Sequence, residues 1–268
     1  MSFDDDYANA AYIPNAEQFL QDWEQSAREY REVEHSFGRA QLNQRYGEQP
    51  GQAYDLFFPA GRPDGLMVFV HGGYWMRFGR RDFSHLAQGA TLKGWAVAIP
   101  SYPLAPSASI REITHSVATA ITKAAAHVAG PIVLAGHSAG GHLVARMGQA
   151  DIGLTDDIQG RIKRIMPISP VGDLRPLLQT EMNDQLQMDD AIAQAQSPSL
   201  HSGPTQCSVH VWVGAKERPA FLGQAKQMSE NWKIPLTVED DRHHFDVIEG
   251  LEDPDSLMMQ TLLADTAS

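Results

Sequence analysis

Residues 132–147 read "IVLAGHSAGGHLVARM". Four apolar residues, Ile132 to Ala135, run into Gly136-His137-Ser138-Ala139-Gly140, and an apolar helical pattern follows at once. The G-x-S-x-G spacing thus sits between a buried strand and a helix, where such a serine is held at a sharp turn. The requirement is steric. Side chains at 136 and 140 would collide with the neighbouring strand and helix, and glycine at both leaves the Ser138 hydroxyl exposed above the sheet. The helix starting beneath Ser138 also favours developing negative charge. An ordinary glycine-rich turn explains neither His137 nor the second pair of glycines.

Outward from this turn the chain alternates. Strands are expected at Leu66–Val70, Trp95–Pro100, Ile132–Gly136, Arg164–Ser169, Val209–Gly214 and Leu236–Val238. Helices are expected over Phe83–Leu92, Ile110–Ala129, His142–Gln149 and Ala220–Trp232, with a closing helix from Phe245 onward. Continuous apolar strands separated by helices predict an α/β protein, its mostly parallel central sheet covered on both faces. Upstream, "AEQFLQDWEQSAREYREV" (16–33) sets Phe19, Leu20, Trp23, Ala27 and Tyr30 at helical spacing, an amphipathic helix within an N-terminal arm over about 1–45. "YGEQPGQAYDLFFP" (46–59) reads as a hairpin-like pair of short strands. Only 171–206, polar and rich in Met and Gln, breaks the rhythm. It suits a lid-like insertion over the carboxyl edge of the sheet, within a single domain spanning 1–268.

The 268 residues suffice for one sizeable domain, and an apolar fraction of 43% suits a soluble globular protein. A net charge of −12 argues against nucleic acid or an anionic membrane as partner, since both need clustered Lys and Arg. The lone cysteine, Cys207, excludes an intrachain disulfide and reads as a buried thiol at the start of a strand. "MSFDDDYANAAY" lacks the basic and apolar regions of a signal peptide, and no apolar run reaches membrane-spanning length. A cytoplasmic protein is expected, with a small molecule as its partner; a homodimer is compatible with the sequence. H-E-x-x-H, C-x-x-C and G-x-G-x-x-G in its βαβ setting are absent, so neither a metal nor a dinucleotide is expected.

A serine hydroxyl needs a base and an orienting acid to become a nucleophile. The loop after "VHVWVG" carries Glu217 in "GAKERPAF"; Asp173, after "RIMPIS", competes for the acid position. Following "LTVED", His243 and His244 precede Phe245 and an expected capping box of Asp246 and Glu249. One of these adjacent histidines faces Ser138, and His244 is favoured by its place beside the helix start. One helix and one strand fit between 217 and 244, which returns the histidine to the same sheet edge. Backbone donors for an oxyanion are expected from Ala139 and from Gly72 and Gly73 in "HGGYW" (71–75), where glycine allows close approach. His71 reads as a brace for that loop. Tyr74 and Trp75 are either packing or a wall for an aromatic substrate, and His243 is a further candidate for shaping the pocket.

"HGGYW" (71–75), "SYPLAP" (101–106), "GHSAGGHL" (136–143), "ISPVGDL" (168–174) and "HFDVIEGL" (244–251) together resemble the α/β-hydrolase superfamily, in its esterase/lipase branch with an H-G-G motif. Within it the chain is most similar to the serine-dependent kynurenine formamidases. "YIPNAEQFLQDWEQSAREYR" (12–31) is similar to the opening helix of bacterial members. The resemblance implies Ser138 as nucleophile, His244 as base, and Gly72, Gly73 and Ala139 as the oxyanion hole. Glu217 takes the acid position, where many relatives have Asp. The implied reaction is hydrolysis of N-formyl-L-kynurenine to L-kynurenine and formate, without a cofactor. A broad carboxylesterase on short acyl or aryl esters is the alternative, and a non-catalytic binding protein on the same fold a third.

Overall fold

The computed structural model describes residues 3–266; the first two residues of the expected arm lie outside them. Strands run over Ala40–Arg45 (β1), Ala53–Phe57 (β2), Leu66–Val70 (β3), Ala96–Pro100 (β4), Ile132–His137 (β5), Ile162–Ile168 (β6), Ser208–Val209 (β7), Val211–Gly214 (β8) and Leu236–Glu239 (β9). They form one sheet in the order β1-β2-β4-β3-β5-β6-β8-β9, with β7 also on β6. The pairs β1–β2 and β2–β4 are antiparallel, and all others are parallel. α-Helices run over Phe3–Asp6 (α1), Ala16–Ser36 (α2), Gln88–Leu92 (α3), Ile110–Ala125 (α4), Ala139–Met147 (α5), Asp156–Arg161 (α6), Asn183–Leu186 (α7), Asp190–Gln196 (α8), Pro219–Trp232 (α9) and Leu257–Leu263 (α10).

Every residue of β2, β3, β4 and β5 is buried, which explains why these strands read as unbroken apolar runs. Their side chains nonetheless alternate. Leu66, Val68 and Val70 join one core with α4, α5 and α9; Met67 and Phe69 join the other with α2, α3 and α10. Parallel strands so arranged bring the ends of β3, β5, β6, β8 and β9 to one edge.

Several boundaries depart from expectation for local reasons. The hairpin begins at Ala40 instead of Tyr46, because β1 is a half-exposed edge strand that looks polar in sequence. α4 stops at Ala125, where the Arg161 guanidinium takes the carbonyls of Ala125 (3.1 Å) and Gly130 (2.8 Å). α5 starts at Ala139, directly after Ser138, and not at His142. The segment from Phe245 onward is two pieces: a 3-10 turn over Val247–Leu251, then α10, which Ser256 caps by accepting from the Met259 amide at 2.9 Å. Pro254 separates them, having no amide to continue a helix. The expected capping box does not form. Asp246 accepts the His243 amide at 2.6 Å, and Glu249 pairs with Arg242 at 2.6 Å.

Candidate active site

Ser138 occupies the junction of β5 and α5 with φ 56° and ψ −116°, a left-handed conformation that non-glycine residues avoid. Its amide donates to Ile168 O (2.8 Å) and its carbonyl accepts from His142 (3.1 Å), so neighbouring elements offset a strain of about 1–3 kcal/mol. The flanking glycines are dictated by contact. A Cβ on Gly140 would lie 1.9 Å from Val70 O, and one on Gly136 would lie 2.2 Å from Gly140 O. The turn therefore packs directly against the end of β3.

Glu217 follows β8 and His244 follows β9. The two meet at the same edge, with Glu217 Oε2 2.6 Å from His244 Nδ1 and both side chains buried. With Nδ1–H donated to the carboxylate, His244 Nε2 is left as the basic nitrogen. The other oxygen, Oε1, accepts from the Gly214 amide at 3.2 Å and from the Ser169 hydroxyl. Ser169 escaped the sequence reading, since only the fold brings residues 169 and 217 together. Asp173 makes no contact with His244. It is engaged by Arg175 at 2.7 Å, and its main chain is locked to Gln224 at 2.7 and 2.8 Å.

The loop after β3 lies across this edge. Gly73 has φ +101°, and a Cβ on Gly72 would lie 3.0 Å from His137 O and 3.1 Å from Ser138 Cβ. Neither glycine amide nor that of Ala139 has an acceptor among the described residues. His71 is fully buried, stacked at 4.3 Å on Tyr102, with Nδ1 2.8 Å from Gly72 O. Burial pushes its pKa down to about 4, so the brace is neutral. Tyr102, from the "SYPLAP" stretch, donates to His71 O at 2.9 Å.

A cavity of about 90 Å³ is lined by Ser138, His244, Gly72, Gly73, Tyr74 and His137. Burial and the nearby His244 hold His137 well below the usual histidine range, so it stays uncharged at 4.6 Å from the His244 ring. The remaining wall was not foreseen. Leu20 and Trp23 of α2, with Asn9 and Ala10 before it, close one side, and Phe78, Phe83 and Phe245 form an aromatic surround with Arg77. Thus the arm covers the site. The 171–206 segment contributes no lining residue; it packs beside α5, where Gln196 O meets His142 Nε2 at 2.7 Å, and against α1 through the Glu181 amide on Asp4.

Two of the tentative wall residues are elsewhere. Trp75 is fully buried, edge-on to His142 at 5.2 Å, and does not line the cavity: it is packing. His243 accepts from the Phe245 and Asp246 amides (3.1 and 3.2 Å) and meets Phe19 edge-on at 5.0 Å, which docks α2 onto the histidine loop. A larger groove of about 620 Å³ is lined by Met147, Pro204, Cys207 and their neighbours and contains none of these groups. Among the described residues no trio of His, Cys, Asp or Glu is placed to hold a metal.

Residues 67–205 match the family described as the α/β hydrolase fold. The chain belongs to that family. This hydrolase is 30% identical to a kynurenine formamidase of Danio rerio over 234 residues, 81% of this chain and 79% of that protein. It is 49% identical to a solved protein of Silicibacter sp. tm1040, provisionally assigned as a thioesterase, with a TM-score of 0.95 over 98% of this chain and all 100% of that one. An esterase of Pyrobaculum calidifontis shares the fold at 18% identity, with a TM-score of 0.69 over 92% of this chain and 91% of that one. No helix of the hydrolase among the described residues is long and apolar enough to cross a membrane.

Proposed function

We propose that this hydrolase cleaves aryl formamides, with N-formyl-L-kynurenine as substrate, through a formyl-enzyme on Ser138. Ser138 Oγ attacks the formyl carbon while His244 Nε2 takes its proton. The amides of Gly72, Gly73 and Ala139 receive the oxyanion. His244, now cationic and stabilised by Glu217, gives its proton to the amine nitrogen as the C–N bond breaks. The aniline leaves. Water, deprotonated by His244, then attacks the formyl ester and releases formate and Ser138.

The observation that carries this reading is the small aromatic chamber around Ser138. The lining by Trp23, Phe78, Phe83 and Phe245 suits an aryl group beside Ser138, and a volume of about 90 Å³, well below the several hundred Å³ of an open ligand pocket, favours a short acyl group over a long one. Arg77, exposed and lying 5.0 Å over the Phe78 ring, supplies a cation for the α-carboxylate of such a substrate. The similarity to kynurenine formamidases supports the same substrate class. Short ester or thioester hydrolysis is the second reading, favoured by the assignment of the 49%-identical neighbour. Comparing kcat/KM for N-formyl-L-kynurenine with that for p-nitrophenyl acetate, butyrate and an acetyl thioester decides between them. The formamide is expected to lead; rapid ester or thioester turnover beside a negligible formamide rate would reverse the assignment.

A further inference from the structure

One polar side chain of the chamber wall has an atom with no task in the steps above. Asn9 is 4% exposed and lines the same cavity as Ser138 and His244, yet its Oδ1 has no donor among the described residues. The orientation of this amide is set by two tyrosines. The main-chain oxygen of Tyr7 is only an acceptor and lies 2.5 Å from the Tyr74 hydroxyl, so the single Tyr74 proton points there. Burial raises Tyr74 to about 12, which keeps that proton in place at working pH. The Tyr74 oxygen must then accept from Asn9, at 2.9 Å. A flipped Asn9 would bring two acceptors together, so Nδ2 faces Tyr74 and Oδ1 is the atom left over.

A buried acceptor held in a fixed direction, on a side chain that lines the chamber around a nucleophile, calls for a donor that a ligand can bring. We infer that Asn9 Oδ1 accepts the N–H of the scissile formamide, which makes Asn9 a specificity-determining residue for amides over esters. The inference rests on the reading of Ser138 as nucleophile and His244 as proton donor. It also gives the contact a mechanistic use. When Ser138 Oγ bonds to the formyl carbon, the nitrogen becomes pyramidal with its new lone pair directed away from the attacking oxygen. His244 lies on the attacking side. The nitrogen must invert before it takes the proton from Nε2, and an acceptor for its N–H favours the inverted form. An ester oxygen has no hydrogen to offer and needs no inversion. Esters therefore leave Oδ1 unpaired, and a site built to bond an N–H disfavours ligands that lack one.

The test is the ratio of kcat/KM for formanilide to that for phenyl formate, corrected for spontaneous hydrolysis, in the full chain. Asn9→Leu is expected to lower this ratio roughly 10- to 100-fold, the range for a lost hydrogen bond at a reacting centre. Tyr74→Phe, which keeps Oδ1 but frees the amide to flip, is expected to lower it by a smaller factor of about 3 to 10. The rate of fluorophosphonate labelling of Ser138 reports whether each variant assembles the site. An unchanged ratio in a labelling-competent Asn9→Leu, or an equal loss on both substrates, overturns the inference. If Asn9→Leu does not label, Tyr74→Phe decides, and an unchanged ratio there overturns it. The formamidase proposal fails separately, when wild type turns over the ester rapidly and the formamide at a negligible rate; a fall in the ratio on substitution then still supports the role of Asn9.

Discussion

At the scale of single residues, each candidate group is held from more than one side. Glu217 is the clearest case: one oxygen orients His244, while the other is occupied by Ser169 and the Gly214 amide. Glu217→Gln keeps the shape and presents an N–H where the imidazole needs an acceptor. It is expected to lower kcat by roughly 10²- to 10⁴-fold with little change in the unfolding midpoint. Asp173→Asn is expected to leave kcat within about twofold, because Asp173 serves Arg175 and not His244. Steady-state kinetics beside urea unfolding check both, and equal effects of the two would contradict the assignment of the acid. Gly140→Ala carries a different penalty. Its methyl would meet Val70 O at 1.9 Å, against main chain that has no room to give, so the soluble folded yield should collapse. The Ser138 turn and the histidine after β9 were legible in sequence because their chemistry is local. Choosing Glu217 over Asp173, and finding Ser169, required contacts across 48 residues that no spacing encodes.

At the scale of elements, the arm is the feature whose position sequence leaves open. The amphipathic pattern of α2 was readable, but nothing in it says which surface its apolar face covers. The structure lays Trp23 on Phe83 and Phe245, each at 5.2 Å between ring centres, and so roofs the cavity. The arm is pinned again before α2 by Arg218 on Asp5 (3.1 Å) and by Gln224 on Tyr7 (2.9 Å). Arg218 is the neighbour of Glu217, so the roof and the acid loop share an anchor. Trp23→Ala is expected to cost about 3–5 kcal/mol in urea unfolding, toward the lower end since Trp23 keeps some exposure. It should also widen the chamber and raise kcat/KM for p-nitrophenyl hexanoate relative to acetate. A chain-length profile identical to wild type would show that the arm does not limit the acyl group. The 171–206 segment drew attention as a lid because it interrupts the alternation, yet interruption alone does not say which edge a segment covers.

At the scale of the whole molecule, the sheet was legible because its central strands are buried on both faces and therefore apolar throughout. Its antiparallel edge, β1, was shifted because a half-solvated strand carries only alternate apolar residues. The same thorough burial gives the protein an acid limit. Burial pushes His71 and His85 down to about 4 and His142 to about 3, so each is neutral in the fold. The unfolded chain protonates these rings near pH 6.5, so the stability they permit is complete above that pH and is lost as pH falls toward 4. Glu252, raised to about 7 by burial, acts in the opposite sense: it removes stability as pH climbs from 4.5 to 7. It also lies 3.8 Å from His85, and with both groups neutral between about pH 4 and 7 that contact is no ion pair. Three histidines outweigh one carboxyl. The free energy of unfolding is expected to drop steadily between pH 6.5 and 4, by about 1.4 kcal/mol per pH unit for each unopposed proton. A flat profile across that window would mean that these rings are reached by water in the fold.

The central claim, that Ser138 is a nucleophile activated by His244, meets its most direct test in peptide mapping by mass spectrometry after treatment with a fluorophosphonate. The account predicts one phosphonyl group on Ser138, no labelling in Ser138→Ala, and labelling slowed at least about 100-fold in His244→Ala. A label on any other residue, or equal labelling of wild type and Ser138→Ala, would contradict it.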